Sequence, residues 1–184
     1  MAVQKPFNLL QWIDENKHLL KPPVGNKNLY IDSGDYIVMI VGGPNARKDF
    51  HYNETEELFY QLQGEIKIII QEDSVRKEII MEAGDMYLHP AKMPHSPVRY
   101  EGSIGLVIER KRAGKGFTDG LLWFCDNCNH KLHEVYFELH DIEKDFLPHF
   151  KHFYSSKQLR TCTKCGNVME TDARFVDQQS TYES

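Results

Sequence analysis

The chain has 184 residues, 41% of them hydrophobic and 27% charged, and a formal net charge of −5 from 22 basic and 27 acidic side chains. This is the composition of one globular domain with a sizeable core and a small appendage. It excludes a nucleic-acid-binding surface, because no basic run is present, and no apolar run approaches membrane-spanning length. The opening M-A-V-Q-K-P-F-N lacks the apolar centre of a signal peptide, so the expectation is a soluble cytoplasmic protein without membrane or nucleic-acid partners.

Residues 7–18 are predicted as a short helix, with Asn8 as its cap and Leu9, Trp12 and Ile13 on one face. Lys21-Pro22-Pro23-Val24-Gly25-Asn26 stops it. Short apolar runs follow at 28–31, 36–41, 57–63, 65–71, 75–81, 86–88 and 104–111, punctuated by Gly34, Gly42-Gly43-Pro44, Gly64, Glu72-Asp73-Ser74 and Gly84-Asp85. Ile66, Ile68 and Ile70 alternate with Lys67 and Ile69, and Gly64 allows a tight turn before them. Many short strands with no helical pattern between them predict an all-β-dominated antiparallel sandwich or barrel. Arg112-Ala113-Gly114-Lys115-Gly116 reads as a linker. Beyond it come a strand at 132–139, a helix at 142–155 that Pro148 should break or kink, and a polar tail ending Q-Q-S-T-Y-E-S. The expected organisation is a barrel over 1–112, a C-terminal metal-binding region over 113–170 packed on it, and a tail over 171–184.

The chemistry concentrates between His51 and His95. His51, Glu57 and His95 supply two imidazoles and one carboxylate. That donor set holds a ferrous ion by one face and leaves three positions for substrate and dioxygen. His18, His89, His130, His133, His140, His149 and His152 read as solvated or hydrogen-bonded side chains. Arg47 lies four residues before His51, and Arg99 four after His95. In extended chain each shares its histidine's face, and two guanidinium groups beside a metal suit an anionic substrate; the other reading is two surface arginines. Glu109 ends the apolar run I-G-L-V-I. A carboxylate inside a barrel needs a partner or a task such as proton transfer; otherwise it is a strand-end charge reaching solvent.

The two segments H-Y-N-E-T-E-E-L-F-Y-Q-L-Q-G (51–64) and G-D-M-Y-L-H-P-A-K-M-P-H-S-P-V-R (84–99) resemble the paired motifs of the cupin superfamily. Asn53 stands where that pattern has a second histidine, Lys92 where it has a second glycine, and Arg99 where it has an asparagine. The resemblance implies a jelly-roll double-stranded β-barrel and leaves three protein ligands, with a vacated position for a chelating substrate. The segments H-L-L-K-P-P-V-G-N (18–26), V-G-G-P-N-A-R-K-D-F-H (41–51), E-E-L-F-Y-Q-L-Q-G (56–64), H-S-P-V-R (95–99) and L-V-I-E-R (106–110) narrow it to the 3-hydroxyanthranilate 3,4-dioxygenase family, from Pro6 to about Gly166. That resemblance implies Fe(II) on His51, Glu57 and His95, and Arg99 on the carboxylate of 3-hydroxyanthranilate. It implies Glu109 as the proton acceptor, Arg47 at the dioxygen side, and Asn26 in a loop near the mouth. It further implies a homodimer and ring opening to 2-amino-3-carboxymuconate semialdehyde, which cyclises to quinolinate on the way to NAD. A cupin that binds a small aromatic carboxylate without turnover is the alternative.

Cys125-x-x-Cys128 and Cys162-x-x-Cys165 are separated by thirty-three residues. Two such knuckles predict a closed tetrahedral four-thiolate site, structural rather than catalytic. The family resemblance implies rubredoxin-like iron there, and zinc suits the same four sulfurs.

Overall fold

The computed structural model describes residues 5–21, 25–45 and 47–176. The expected helix stop at Pro22, Pro23 and Val24, and the end of the tail, lie outside the described residues. Helix α1 covers Leu9–Asn16, and Asn8 caps it by accepting a hydrogen bond from the Gln11 amide at 3.0 Å. Eleven strands are described: β1 Asn26–Asn28, β2 Tyr36–Gly42, β3 Asp49–Asn53, β4 Glu57–Gln63, β5 Ile66–Glu72, β6 Val75–Met81, β7 Met86–His89, β8 His95–Arg99, β9 Ile104–Arg110, β10 Asp119–Phe124 and β11 Lys131–Phe137. Helices α2, Ile142–Ser155, and α3, Lys157–Arg160, complete the chain.

The strands form two antiparallel sheets, ordered β1-β2-β9-β4-β7 and β11-β10-β3-β8-β5-β6. Alternation sets their faces. Met39, Phe59 and Val107 from the first sheet meet Ile66, Ile68, Ile70 and Met81 from the second in one buried cluster, each fully buried aliphatic side chain contributing about 1.5–3 kcal/mol. This is the expected all-β, jelly-roll layering. Gly64 turns the chain from β4 to β5 at φ +68, with Ser103 Cα only 3.2 Å from where a Cβ would stand. Helix α1 covers one end of the first sheet's outer face, packing Ile13 against Ile40 and Ile104.

The sheet that carries β3 and β8 continues past residue 112 into β10 and β11. Its inner face there is covered by α2, in a cluster of Leu121, Trp123, Leu139, Phe146, Phe153, Tyr154 and Met169. Phe175 and Val176, within the stretch read as tail, pack on this cluster. The break expected at Pro148 does not occur, because α2 runs unbroken through it. The proline removes one backbone donor, but Phe146, Phe150 and Phe153 hold both halves of the helix on the sheet. Strand β1 covers Asn26–Asn28 rather than 28–31; it ends at Asn28, whose side chain accepts from the Tyr30 amide at 3.1 Å and turns the chain away.

Trp123 is fully buried and stacks on Phe153 at 4.4 Å. Trp123→Ala is expected to lower stability by about 3–5 kcal/mol, read from urea unfolding. An unchanged midpoint would show that α2 is held by other contacts.

Candidate metal centre

Register brings the donor residues together. On the second sheet His51 of β3 lies opposite His95 of β8. On the first, Glu57 of β4 lies between Glu109 of β9 and His89 of β7. Directly paired residues share a face, so each sheet presents a polar row to the interior. One ligand atom each from His51, Glu57 and His95 falls within 4.8 Å of the others, and all three side chains are buried.

Each imidazole has a second partner that fixes its orientation. His51 Nε2 is 2.9 Å from Asp119 Oδ1 on β10, which commits that nitrogen as donor and frees Nδ1 for a metal. His95 Nδ1 faces the Met93 carbonyl at 3.4 Å, and its Nε2 lies 3.1 Å from Glu57 Oε2. Burial holds the His51 pKa below its ordinary value against the pull of Asp119. Burial works against the Glu57 charge, but His95 outweighs it and holds that carboxyl at about 2. A lowered His51 pKa and an ionised Glu57 carboxylate both favour binding of a divalent metal. Asn53, where a second histidine would stand, donates to Glu57 Oε2 at 3.2 Å and so orients the carboxylate. His89 is hydrogen-bonded, with Nε2 2.8 Å from the Met93 carbonyl. Its ring is 4.2 Å from that of His95, and burial with His95 beside it takes its pKa down to about 4.

The arginines differ. Arg99 on β8 is buried, and among the described residues its guanidinium has neither an ion pair nor a hydrogen bond; Nη1 is a buried orphan. Burial, offset by Glu57 and reinforced by Arg47, lowers its pKa to about 10, so it stays cationic at neutral pH. Arg47, just before β3, is engaged with Asp49, its Nε 3.1 Å from Oδ1, and lies 5.9 Å from the Phe146 ring. Phe146 in turn meets the His51 ring at 5.4 Å, so α2 walls this side of the centre. Asn26 lies on β1 and lines a cavity of about 690 Å³ with Lys27, Ile37, Met39, Arg112 and Asp141. That cavity shares Arg112 with the centre.

Glu109 is buried and accepts from Arg112 Nη1 at 2.7 Å. Burial and the charge on Glu57 push its pKa up to about 7, against the pull of Arg112. Arg112 Nε also donates to both oxygens of Asp119, at 3.0 and 2.9 Å. A buried chain therefore runs Glu109–Arg112–Asp119–His51. Sequence reasoning missed Arg112, taken as linker, and Asp119. The only signal for Asp119 was a lone carboxylate opening the apolar run D-G-L-L-W-F.

At the far end of β10 the four cysteines converge, with all four sulfurs within 4.8 Å. Cys125 and Cys165 sulfurs are 3.6 Å apart, as are Cys128 and Cys162. A tetrahedron with bonds of about 2.3 Å has edges of about 3.8 Å, so the donor set fits one metal ion. Asn127 and Asn167 donate side-chain hydrogen bonds to Cys165 and Cys125.

Residues 1–154 match the model of the 3-hydroxyanthranilic acid dioxygenase family. The chain belongs to that family. It is 53% identical to a 3-hydroxyanthranilate 3,4-dioxygenase of Xanthomonas campestris pv. campestris, over 93% of this chain and 96% of that one. It is 49% identical to one from Bacillus thuringiensis, over 89% of this chain and 90% of that one. Among solved structures, a cupin-2 domain containing protein from Shewanella frigidimarina aligns with a TM-score of 0.45 at 20% identity, covering 53% of this chain and 91% of its own. The buried carboxylate behind His51 is thus part of a dioxygenase-family metal centre.

Asp119→Ala is expected to weaken metal binding about 10–100-fold. Anaerobic titration with Co(II), followed by its visible absorption, measures this directly. Parent-like affinity would mean that packing alone orients His51.

Proposed function

We propose that this chain opens the ring of 3-hydroxyanthranilate with dioxygen to give 2-amino-3-carboxymuconate semialdehyde, the precursor of quinolinate and NAD. The observation that carries this reading is the Arg99 cation, buried without a carboxylate partner beside a two-histidine, one-carboxylate face. Such a charge is costly unless an anion joins it, and the family membership names an aromatic carboxylate of suitable shape.

His51, Glu57 and His95 hold Fe(II), which when bound supplies the Lewis acidity and the electrons that dioxygen activation requires. Arg99 takes the substrate carboxylate as a planar fork. Glu109, held ready near neutrality by burial and Arg112, accepts the proton of the ring hydroxyl. Arg47, anchored by Asp49 and screened by Phe146, faces the dioxygen side. Asn26 meets substrate at the mouth. Both atoms of dioxygen end in the product. The four cysteines hold iron or zinc as a structural clamp within residues 113–170, which brace the 1–112 barrel.

The enzyme acts in the cytoplasm as a homodimer. Its contact surface is the outer face of the first sheet, where Val38, Ile108, Leu58 and Leu88 form one cross-strand row and Leu106, Tyr60 and Met86 the next. Met86 and Leu88 are 65% and 53% exposed, an apolar patch that a second copy covers. A Leu58→Arg, Leu88→Asp double variant is expected to run as a folded monomer in size-exclusion chromatography with light scattering. A dimer that survives it rules out this face.

The activity test is anaerobic reconstitution with Fe(II), followed by 3-hydroxyanthranilate and air, reading semialdehyde absorbance. Product requires the iron and is lost in His51→Ala. Glu109→Ala is expected to lower kcat by about 10²–10⁴-fold while substrate affinity changes only a few-fold. Full activity in that variant would remove Glu109 from proton transfer.

A further inference from the structure

The first sheet contains a second buried orphan, and it lies next to Arg99. Gln61 of β4 is fully buried, and its Oε1 has no hydrogen-bond partner among the described residues. The orientation of its amide is determined: Nε2 donates to the Gln63 carbonyl at 2.7 Å and reaches the Gly64 carbonyl at 3.4 Å. A flipped amide would set its oxygen against those two carbonyls, so Oε1 is the atom that faces inward. Directly opposite Gln61, across the strand pair, stands Gly105 of β9. A Cβ on Gly105 would lie 2.9 Å from Gln61 Oε1 and 3.0 Å from Arg99 Nη1. An unpaired acceptor and an unpaired cationic donor therefore flank one spot that only a missing side chain keeps open.

We propose that Gln61 and Gly105 form the seat of Arg99, with Gln61 Oε1 as the neutral acceptor that positions Nη1 while the rest of the guanidinium takes the carboxylate of the substrate. This rests on the reading of Arg99 as the carboxylate-binding residue. The other two arginines around the centre each have a carboxylate partner: Arg47 engages Asp49, and Arg112 engages Glu109 and Asp119. A carboxylate at position 61 would neutralise Arg99 internally and leave little attraction for an incoming anion. An amide fixes the position of the cation without consuming its charge. Glycine at 105 keeps open the spot that Arg99 Nη1, from the second sheet, and Gln61 Oε1, on the first, both flank.

Gln61 is thus a positioning residue, and its signature is discrimination for a carboxylate rather than activity as such. The test compares 3-hydroxyanthranilate with 2-aminophenol, which keeps the chelating hydroxyl and amine but lacks the carboxylate. Anaerobic Kd values are read on the Co(II)-loaded protein, and KM and kcat on the Fe(II) enzyme. Gln61→Glu is expected to raise the Kd and KM for 3-hydroxyanthranilate about tenfold or more, with kcat within a few-fold and 2-aminophenol affinity unchanged. If Gln61→Glu does not fold, Gly105→Ala reads the same ratio and is expected to reduce it. Equal weakening of both ligands, or an unchanged ratio in the folded variants, overturns the proposal. Arg99→Ala separates the two levels. Loss of discrimination there with none in Gln61→Glu keeps Arg99 and discards the seat, whereas discrimination retained in Arg99→Ala discards both.

Discussion

Arg112 joins the two sheets at the point where the chemistry is assembled. Its guanidinium donates to Glu109 on the first sheet and to Asp119 on the second, and all three groups are buried. Both carboxylates lie beside metal-centre residues, Glu109 opposite Glu57 and Asp119 against His51. Removing one partner of such a network leaves an uncompensated charge and typically costs about 3–5 kcal/mol. The arrangement is therefore better understood as a constraint on geometry than as a source of stability. It fixes how far apart the carboxylate ligand and the first histidine ligand stand, because it fixes the two sheets on which they are carried.

The interior divides accordingly. At one end of the barrel the sheets meet through Met39, Phe59, Ile66, Ile68 and Val107, and dispersion and hydrophobic burial hold them. At the other end they meet through polar and charged groups, among which the Arg99 guanidinium and the Gln61 Oε1 have no partner among the described residues. The apolar end supplies rigidity, while the polar end keeps these two buried groups unpaired, a local cost of the kind found at functional sites.

Much of this was legible in the sequence where pattern and burial agree. β4 and β6 fall on the residues expected for them, as does α2; β4 alternates cleanly, and turn residues bound β6. β3 and β8 gave no apolar signal, because their inward positions are His51, Asn53, His95 and Arg99, the residues of the site itself. β10 was missed for the opposite reason. Leu121, Leu122 and Trp123 are apolar on both faces, since α2 covers one side and Phe50 with Ile69 lies on the other, so alternation vanishes. The metal-binding trio was readable from donor types and spacing. Arg112 and Asp119 were not, because a single charge beside glycines carries no period, and their meaning exists only once β10 is laid against β3.

The position of Asp119 also fixes an order of events during synthesis. A chain emerging from the ribosome presents His51, Glu57 and His95 long before residue 119, and until β10 joins the sheet the first imidazole has no carboxylate behind it to select its tautomer. The three ligands of this centre are all in place by residue 95, but the finished cage also needs residue 119. A metal ion captured earlier would meet an imidazole free to rotate and to offer either nitrogen, so maturation of the centre is coupled to completion of the sheet rather than to the appearance of its ligands.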